Sequence, residues 1–118
     1  MITIDIKTGE LKVNQLRFSS KTEISYLSEM LLSSDIELWF SHDIWRQYRF
    51  FNDRMIFILH FKNNLLQFIQ ISPIENEGAT VLNIIEKLGG EQEYFWGKIE
   101  IFDDIKSRSI SVLIKYFK

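Results

Sequence analysis

Apolar and polar positions alternate through Ile2, Thr3, Ile4, Asp5 and Ile6, the period of a strand with one buried face. Lys7-Thr8-Gly9-Glu10 supplies turn residues before Leu11 and Val13 resume the alternation, which predicts an opening hairpin. After Phe18 the period changes. Ser20 and Glu23 have the spacing of a capping box, in which each side chain satisfies the other residue's backbone N–H. Ile24, Leu27, Met30 and Leu31 then recur at helical spacing, and Ser33, Ser34 and Asp35 compete for backbone hydrogen bonds, so a helix is expected over 21–32.

Period two returns at Ile36, Leu38 and Phe40. Turns at Ser41-His42-Asp43, Asn52-Asp53-Arg54 and Lys62-Asn63-Asn64 then separate strands over Ile44 to Phe51, Met55 to Phe61 and Leu65 to Ile71. Asparagine tolerates the positive φ of such tight hairpins. Pro73 ends the run, and Ile74 to Ala79 form an acidic loop leading to Thr80, which caps a second helix carrying Val81, Ile84, Ile85 and Leu88. Gly89 stops that helix as a left-handed cap. Strands over Glu93 to Phe102 and Ser109 to Tyr116 follow, the second with Ile110, Val112, Ile114 and Tyr116 in strict alternation.

The order ββαββββαββ has connections too short for parallel crossovers, so the fold class is α+β: a mostly antiparallel sheet on which two helices bury their apolar stripes. An antiparallel sheet can leave one face free of helix. The order also divides into two ββαββ halves, and Asp5-Ile6-Lys7-Thr8-Gly9 parallels His60-Phe61-Lys62-Asn63-Asn64. A duplicated unit and a recurring hairpin chemistry both account for this.

A chain of 118 residues suits one hydrophobic core, and a single domain over 1–118 is expected. One proline and five glycines leave little room for disordered linkers. Without cysteine there is no disulfide, no thiolate metal ligand and no thiol nucleophile. The amino terminus lacks a basic segment followed by a continuous apolar one, and the longest wholly apolar run, Met55 to Leu59, is far shorter than the roughly 20 residues that cross a bilayer. A soluble, cytoplasmic protein is the expectation.

Candidate chemistry is thin. His42 adjoins Asp43 in a turn, where neighbouring side chains seldom face one another, and His60 shares a strand face with Ile56 and Ile58 as a packed or edge histidine. Gly89-Gly90 ends a helix where a phosphate loop would begin one, and Glu100, Asp103 and Asp104 lack the ligand spacing of a calcium loop. No catalytic residue, metal site or cofactor is expected, and the chain does not read as an enzyme.

Two surfaces suggest binding. Trp45, Arg46, Tyr48, Arg49 and Arg54 combine aromatics on which bases stack with arginines for phosphates, the makings of a single-stranded nucleic-acid module. Strand alternation, however, sends Arg46, Tyr48 and Phe50 to one side and Trp45, Arg49 and Phe51 to the other, so half of these aromatics belong to the core. Trp39 and Trp96 are also expected in the core.

The second surface is acidic. Although the net charge is only −2, residues 71–104 hold eight acids against Lys87 and Lys98, and residues 105–118 hold four bases and no acid. Glu75, Glu77, Glu91, Glu93, Glu100, Asp103 and Asp104 lie in predicted loops or beside them. Converging carboxylates attract a basic protein and repel nucleic acid.

Ile4-Asp5-Ile6-Lys7-Thr8-Gly9-Glu10-Leu11 near the front, with Tyr94-Phe95-Trp96-Gly97-Lys98-Ile99-Glu100 and Ser109-Ile110-Ser111-Val112-Leu113-Ile114-Lys115-Tyr116 at the back, resemble small bacterial immunity proteins of contact-dependent growth inhibition and related polymorphic toxin systems. The resemblance implies a cytoplasmic, non-catalytic protein that binds the C-terminal domain of a cognate toxin, often a nuclease, and blocks its active site or substrate access. It implies no particular contact residues. The seven acids above are the toxin-binding candidates that charge supplies.

Overall fold

Tight turns organise the chain, because among the described residues six non-glycine ones accept positive φ at strand ends. In the turns at Asp53-Arg54 and Asn63-Asn64 both central residues do so, with φ of 49° and 62°, then 52° and 67°. The computed structural model describes residues 2–30, 36–74, 78–104 and 109–117. Its elements are β1 (Ile2–Ile4), β2 (Leu11–Val13), β3 (Leu16–Phe18), α1 (Ile24–Met30), β4 (Glu37–His42), β5 (Trp45–Asn52), β6 (Met55–Lys62), β7 (Leu65–Pro73), α2 (Gly78–Lys87), β8 (Gln92–Tyr94), β9 (Gly97–Asp104) and β10 (Ser109–Tyr116).

The α+β class and the order of elements match the expectation, with two short strands added. β3 turns back on β2, and the strand expected over Glu93 to Phe102 is a hairpin, β8–β9, bent at Phe95-Trp96. β1–β2–β3 form a small sheet; the main sheet has seven strands in the order β4-β5-β6-β7-β10-β9-β8. Every neighbouring pair in it is antiparallel. The two hairpins that suggested duplication lie in different sheets and turn differently. Gly9 N and Thr8 N both donate to Asp5 O, whereas Asn63-Asn64 is a two-residue reversal.

Two helix starts differ from expectation. α2 begins at Gly78, two residues before Thr80. α1 begins at Ile24 because the preceding residues bond to the β6–β7 turn: Ile24 N donates to Asn64 O, Leu66 N donates to Thr22 O, and Glu23 bridges Leu65. This tertiary pairing replaces the first turn that a Ser20–Glu23 box would have capped. The predicted end of this helix and its Leu31 lie outside the described residues. α2 closes as expected: Gly89 has φ 92°, and Gly90 N donates to Ile85 O at 2.8 Å.

The core fills one side of the main sheet. Phe50, Phe57, Leu59, Phe61, Leu66, Ile69, Ile71, Ile99, Val112 and Ile114 point to this side and are buried. α2 packs on β7, β9 and β10 through Val81, Ile84, Ile85 and Leu88, while Phe18 of the small sheet stacks on Phe50, which stacks on Phe57 at 4.8 Å. At about 25 cal/mol per Å² of apolar surface, side chains like these supply most of the folding drive.

The small sheet is clasped to the far end of the chain. Trp96 Nε1 donates to Ile6 O at 2.8 Å, Phe117 N donates to Trp96 O, and the Tyr116 hydroxyl donates to Gly9 O at 2.8 Å. The three segments that carry the family resemblance therefore meet in one place.

Candidate functional site

Strand alternation that buries one side of the main sheet must direct the intervening side chains to the other. The register sets them in rows across the strands. One row runs Phe40, Gln47, His60, Phe68, Lys115, Lys98, Glu93, and the next runs Glu37, Arg49, Ile58, Gln70, Leu113, Glu100. None of these side chains joins the core cluster, to which Leu27 of α1, Val81, Ile84 and Ile85 of α2 and Ile2, Leu11, Val13 and Phe18 of the small sheet turn. Among the described residues, this face carries strand side chains and no helix.

At the β4–β7 end, Phe40, His42, Trp45, Gln47, His60 and Phe68 line a groove of about 400 Å³. The His60 ring stacks on Phe68 at 4.0 Å and 15°, and Trp45 meets Phe68 edge-on at 6.4 Å. Lys62 Nζ lies 5.7 Å from the Trp45 ring. His60 is only 7% exposed, and its Nε2 has no hydrogen-bond partner. Burial lowers its pKa from 6.5 to about 4, against the opposing effect of a hydrogen bond with Gln70, so the ring is neutral near pH 7.

The sheet's middle is polar but paired. Gln70 Nε2 donates to Ser111 Oγ at 3.1 Å, and Ser111 shares a 2.6 Å hydrogen bond with Ser72. Towards β8, Glu100 takes Lys115 at 2.6 Å and Lys98 at 3.2 Å. The hydrogen bond from Lys115 is the main reason that the Glu100 carboxyl stays below its ordinary pKa, despite some burial.

The acidic candidates are dispersed. Glu93 and Glu100 are on the open face, but Glu100 is neutralised by two lysines. Glu91 accepts the Ile101 N–H at 2.7 Å. Asp103 is opposite Ile110 on the core side and exposed, and Asp104 ends β9. Glu75 and Glu77 lie outside the described residues.

The aromatic–arginine set also divides between faces, as its alternation predicts. Arg46 donates to Asp43 O and Trp45 O, and Tyr48 meets Phe61 edge-on beside the core. Arg54 is exposed in a turn. Trp45 and Arg49 are on the open face, where Arg49 pairs with Glu37 and lies 3.7 Å over the Trp39 ring.

Trp96 is buried, as expected, but Trp39 is 52% exposed. Alternation with Leu38, which pairs with Tyr48 on the core side, turns Trp39 to the open face beneath Arg49, on an edge strand whose residues are all exposed. The register break between Leu38 and Phe40 carries Phe40 to that face as well.

Sequence reasoning did not join Phe40, Gln47 and Phe68 to the two histidines. The available signal was the polar series Gln47, His60, Gln70, Ser72 and Ser111 interrupting apolar strands. Among the described residues no three His, Asp or Glu side chains come together as metal ligands, and no helix is long and apolar enough to cross a membrane.

The chain matches no protein-family model and no curated protein sequence. It is similar in fold to a chain of a solved structure described as Rhs1-CT in complex with cognate immunity protein RhsI1. The match covers 98% of this chain and 87% of that one, with a TM-score of 0.68 and 18% sequence identity. The likeness is one of fold: this chain shares its architecture with one chain of that complex.

Proposed function

We propose that this protein is a bacterial immunity protein: in the cytoplasm it binds the C-terminal domain of a cognate toxin and blocks the toxin's active site or substrate access, without chemistry of its own. The observation that carries this reading is the shared fold with a chain of a toxin–immunity complex over 98% of the sequence. The inhibitor suits this chain better than the toxin because ionisable groups on its open face are committed to one another. Arg49 holds Glu37, Lys98 and Lys115 hold Glu100, and burial keeps His60 neutral. Such a face offers shape and hydrogen bonds rather than a poised acid and base.

The toxin system is of the contact-dependent growth inhibition or related polymorphic type, and the toxin is a nuclease. The acid surplus over residues 71–104 supports this, because a nuclease presents positive charge to nucleic acid and carboxylates compete for that charge. Glu93 contributes from the open face, with Glu91, Asp103 and Asp104 near its β8–β9 end.

Co-expression with the toxin domain encoded beside this gene should give a co-purifying complex and restore growth. Failure of both would overturn the reading. Replacing Glu91, Glu93, Asp103 and Asp104 by lysine should weaken the complex most at low salt; unchanged affinity there would remove the acidic segment from the interface and the nuclease argument with it.

A further inference from the structure

The two edges of the main sheet are finished differently. β8 is three residues long, carries Glu93 and stacks Tyr94 on Trp96, a short and charged border of the kind that resists further pairing. β4, at the other edge, runs for six residues with no lysine, no proline and, among the described residues, no strand or backbone partner along its outer side. Leu38, Trp39 and Phe40 stand there in succession, each about half exposed. An apolar border of this length is a template for another strand.

The order of side chains along β4 selects which strand. Glu37, Trp39, Phe40 and His42 lie on the open face and Leu38 and Ser41 on the core side, because the register break puts two successive residues on one face. From either end the order of faces is the same: open, core, open, open, core, open. A regular strand of six residues alternates strictly and lacks this symmetry. Two copies of β4 run antiparallel therefore pair along their whole length, Glu37 with His42, Leu38 with Ser41 and Trp39 with Phe40, and every side chain meets one on its own face. The backbone agrees. His42 and Trp45 close the two-residue turn Asp43-Ile44, so His42 and Phe40 turn their N–H and C=O groups to β5, while Ser41 and Leu38 turn theirs outward. Leu38 and Ser41 are also the residues that the antiparallel register sets opposite each other. The polar ends match as well, since the Glu37 carboxylate, held by Arg49 of its own chain, can accept a ring N–H from His42 of the second copy.

We propose that the protein forms a two-fold dimer through antiparallel pairing of β4 with β4 of a second copy. The pairing joins two seven-stranded sheets into one continuous sheet, with Trp39 and Phe40 of both copies gathered at the axis on the open face. It covers the border that a single copy leaves apolar, and it extends the open face across both copies. It needs no toxin and is independent of the immunity reading.

Sedimentation equilibrium of the whole protein should show monomer and dimer in exchange at concentrations below about 1 mM. Isotope-filtered NMR spectra of a mixed labelled and unlabelled sample should give contacts between Leu38 of one copy and Ser41 of the other. Ser41→Pro removes an outward N–H from each copy and leaves the β4–β5 ladder, in which that N–H takes no part, so it should weaken the dimer at least about tenfold. Phe40→Lys sets a charge at the axis and should weaken it similarly. A monomer throughout that range, a dimer that either folded variant leaves intact, or intermolecular contacts from residues outside β4 would overturn the proposal. The wild-type contacts decide the matter if neither variant folds. None of these results bears on toxin binding, which co-expression tests separately.

Discussion

Trp96 seats its indole against Gly9 so closely that a Cβ at position 9 would lie 2.5 Å from the ring. Gly9 also has φ 79°, a conformation that side chains rarely adopt. Steric and backbone reasons for glycine coincide at the point where the opening hairpin meets the end of the chain.

Gly9→Ala should therefore cost about 2–4 kcal/mol, combining backbone strain with displacement of a buried ring. Gly90→Ala is the control: its φ is 89°, but a Cβ there meets nothing within 4 Å, so about 1 kcal/mol of strain is expected. Urea midpoints at unchanged slope measure both. Equal losses would refute the packing argument.

Tyr116→Phe should cost about 1–3 kcal/mol, because it leaves Gly9 O without the hydroxyl that now reaches it at 2.8 Å in a buried clasp. The same denaturation experiment reads it, and a loss below about 0.5 kcal/mol would mean that water replaces the hydroxyl.

Acid should weaken the fold through His60. The unfolded side chain takes a proton near pH 6.5 and the folded one only near pH 4, so between these values the unfolded state binds more protons. Stability from this group is complete above about pH 6.5 and falls as pH drops towards 4, by an amount of order 3 kcal/mol. His60→Phe should flatten the pH dependence in that window. An identical slope in the variant would assign it to carboxylates instead.

Arg49 joins a carboxylate and an aromatic ring on the same face. Because Glu37 is largely exposed, their ion pair should contribute less than about 1 kcal/mol in a double-mutant cycle, and salt should reduce it. Stacking on Trp39 needs the planar guanidinium, so Arg49→Lys should change Trp39 fluorescence and cost about 0.5–1 kcal/mol although charge is kept. Unaltered fluorescence would mean that the stack does not form in solution.

Much of the fold is legible in local chemistry. Asn63-Asn64 and Asp53-Arg54 mark reversals, Gly89 marks a helix end, and the stripe Val81, Ile84, Ile85, Leu88 is buried as its spacing requires. Three-residue strands such as β3 and β8 are too short to display a period, and the run Tyr94-Phe95-Trp96 hides a turn beneath good strand formers. The start of α1 escapes local reasoning because Thr22 and Ile24 bond to the distant β6–β7 turn. The groove is less legible still. Phe40, Gln47, His60 and Phe68 become neighbours only through register, and the β4–β5 and β6–β7 pairings each contain a register shift. Charge counting, by contrast, finds carboxylates without finding their partners: Glu100 counts as an acid but sits between two lysines.

β10 comes last among the strands, yet it pairs with β7 on one side and β9 on the other. On the ribosome the nascent polypeptide thus holds a four-strand meander and a separate hairpin, each with an unpaired border awaiting the same late-made strand. Neither border can be sealed until that strand leaves the exit tunnel. Long-range closure of this kind is slow, so a C-terminal deletion into β10 should leave two exposed edges and send the product towards aggregation rather than to a shortened but working protein.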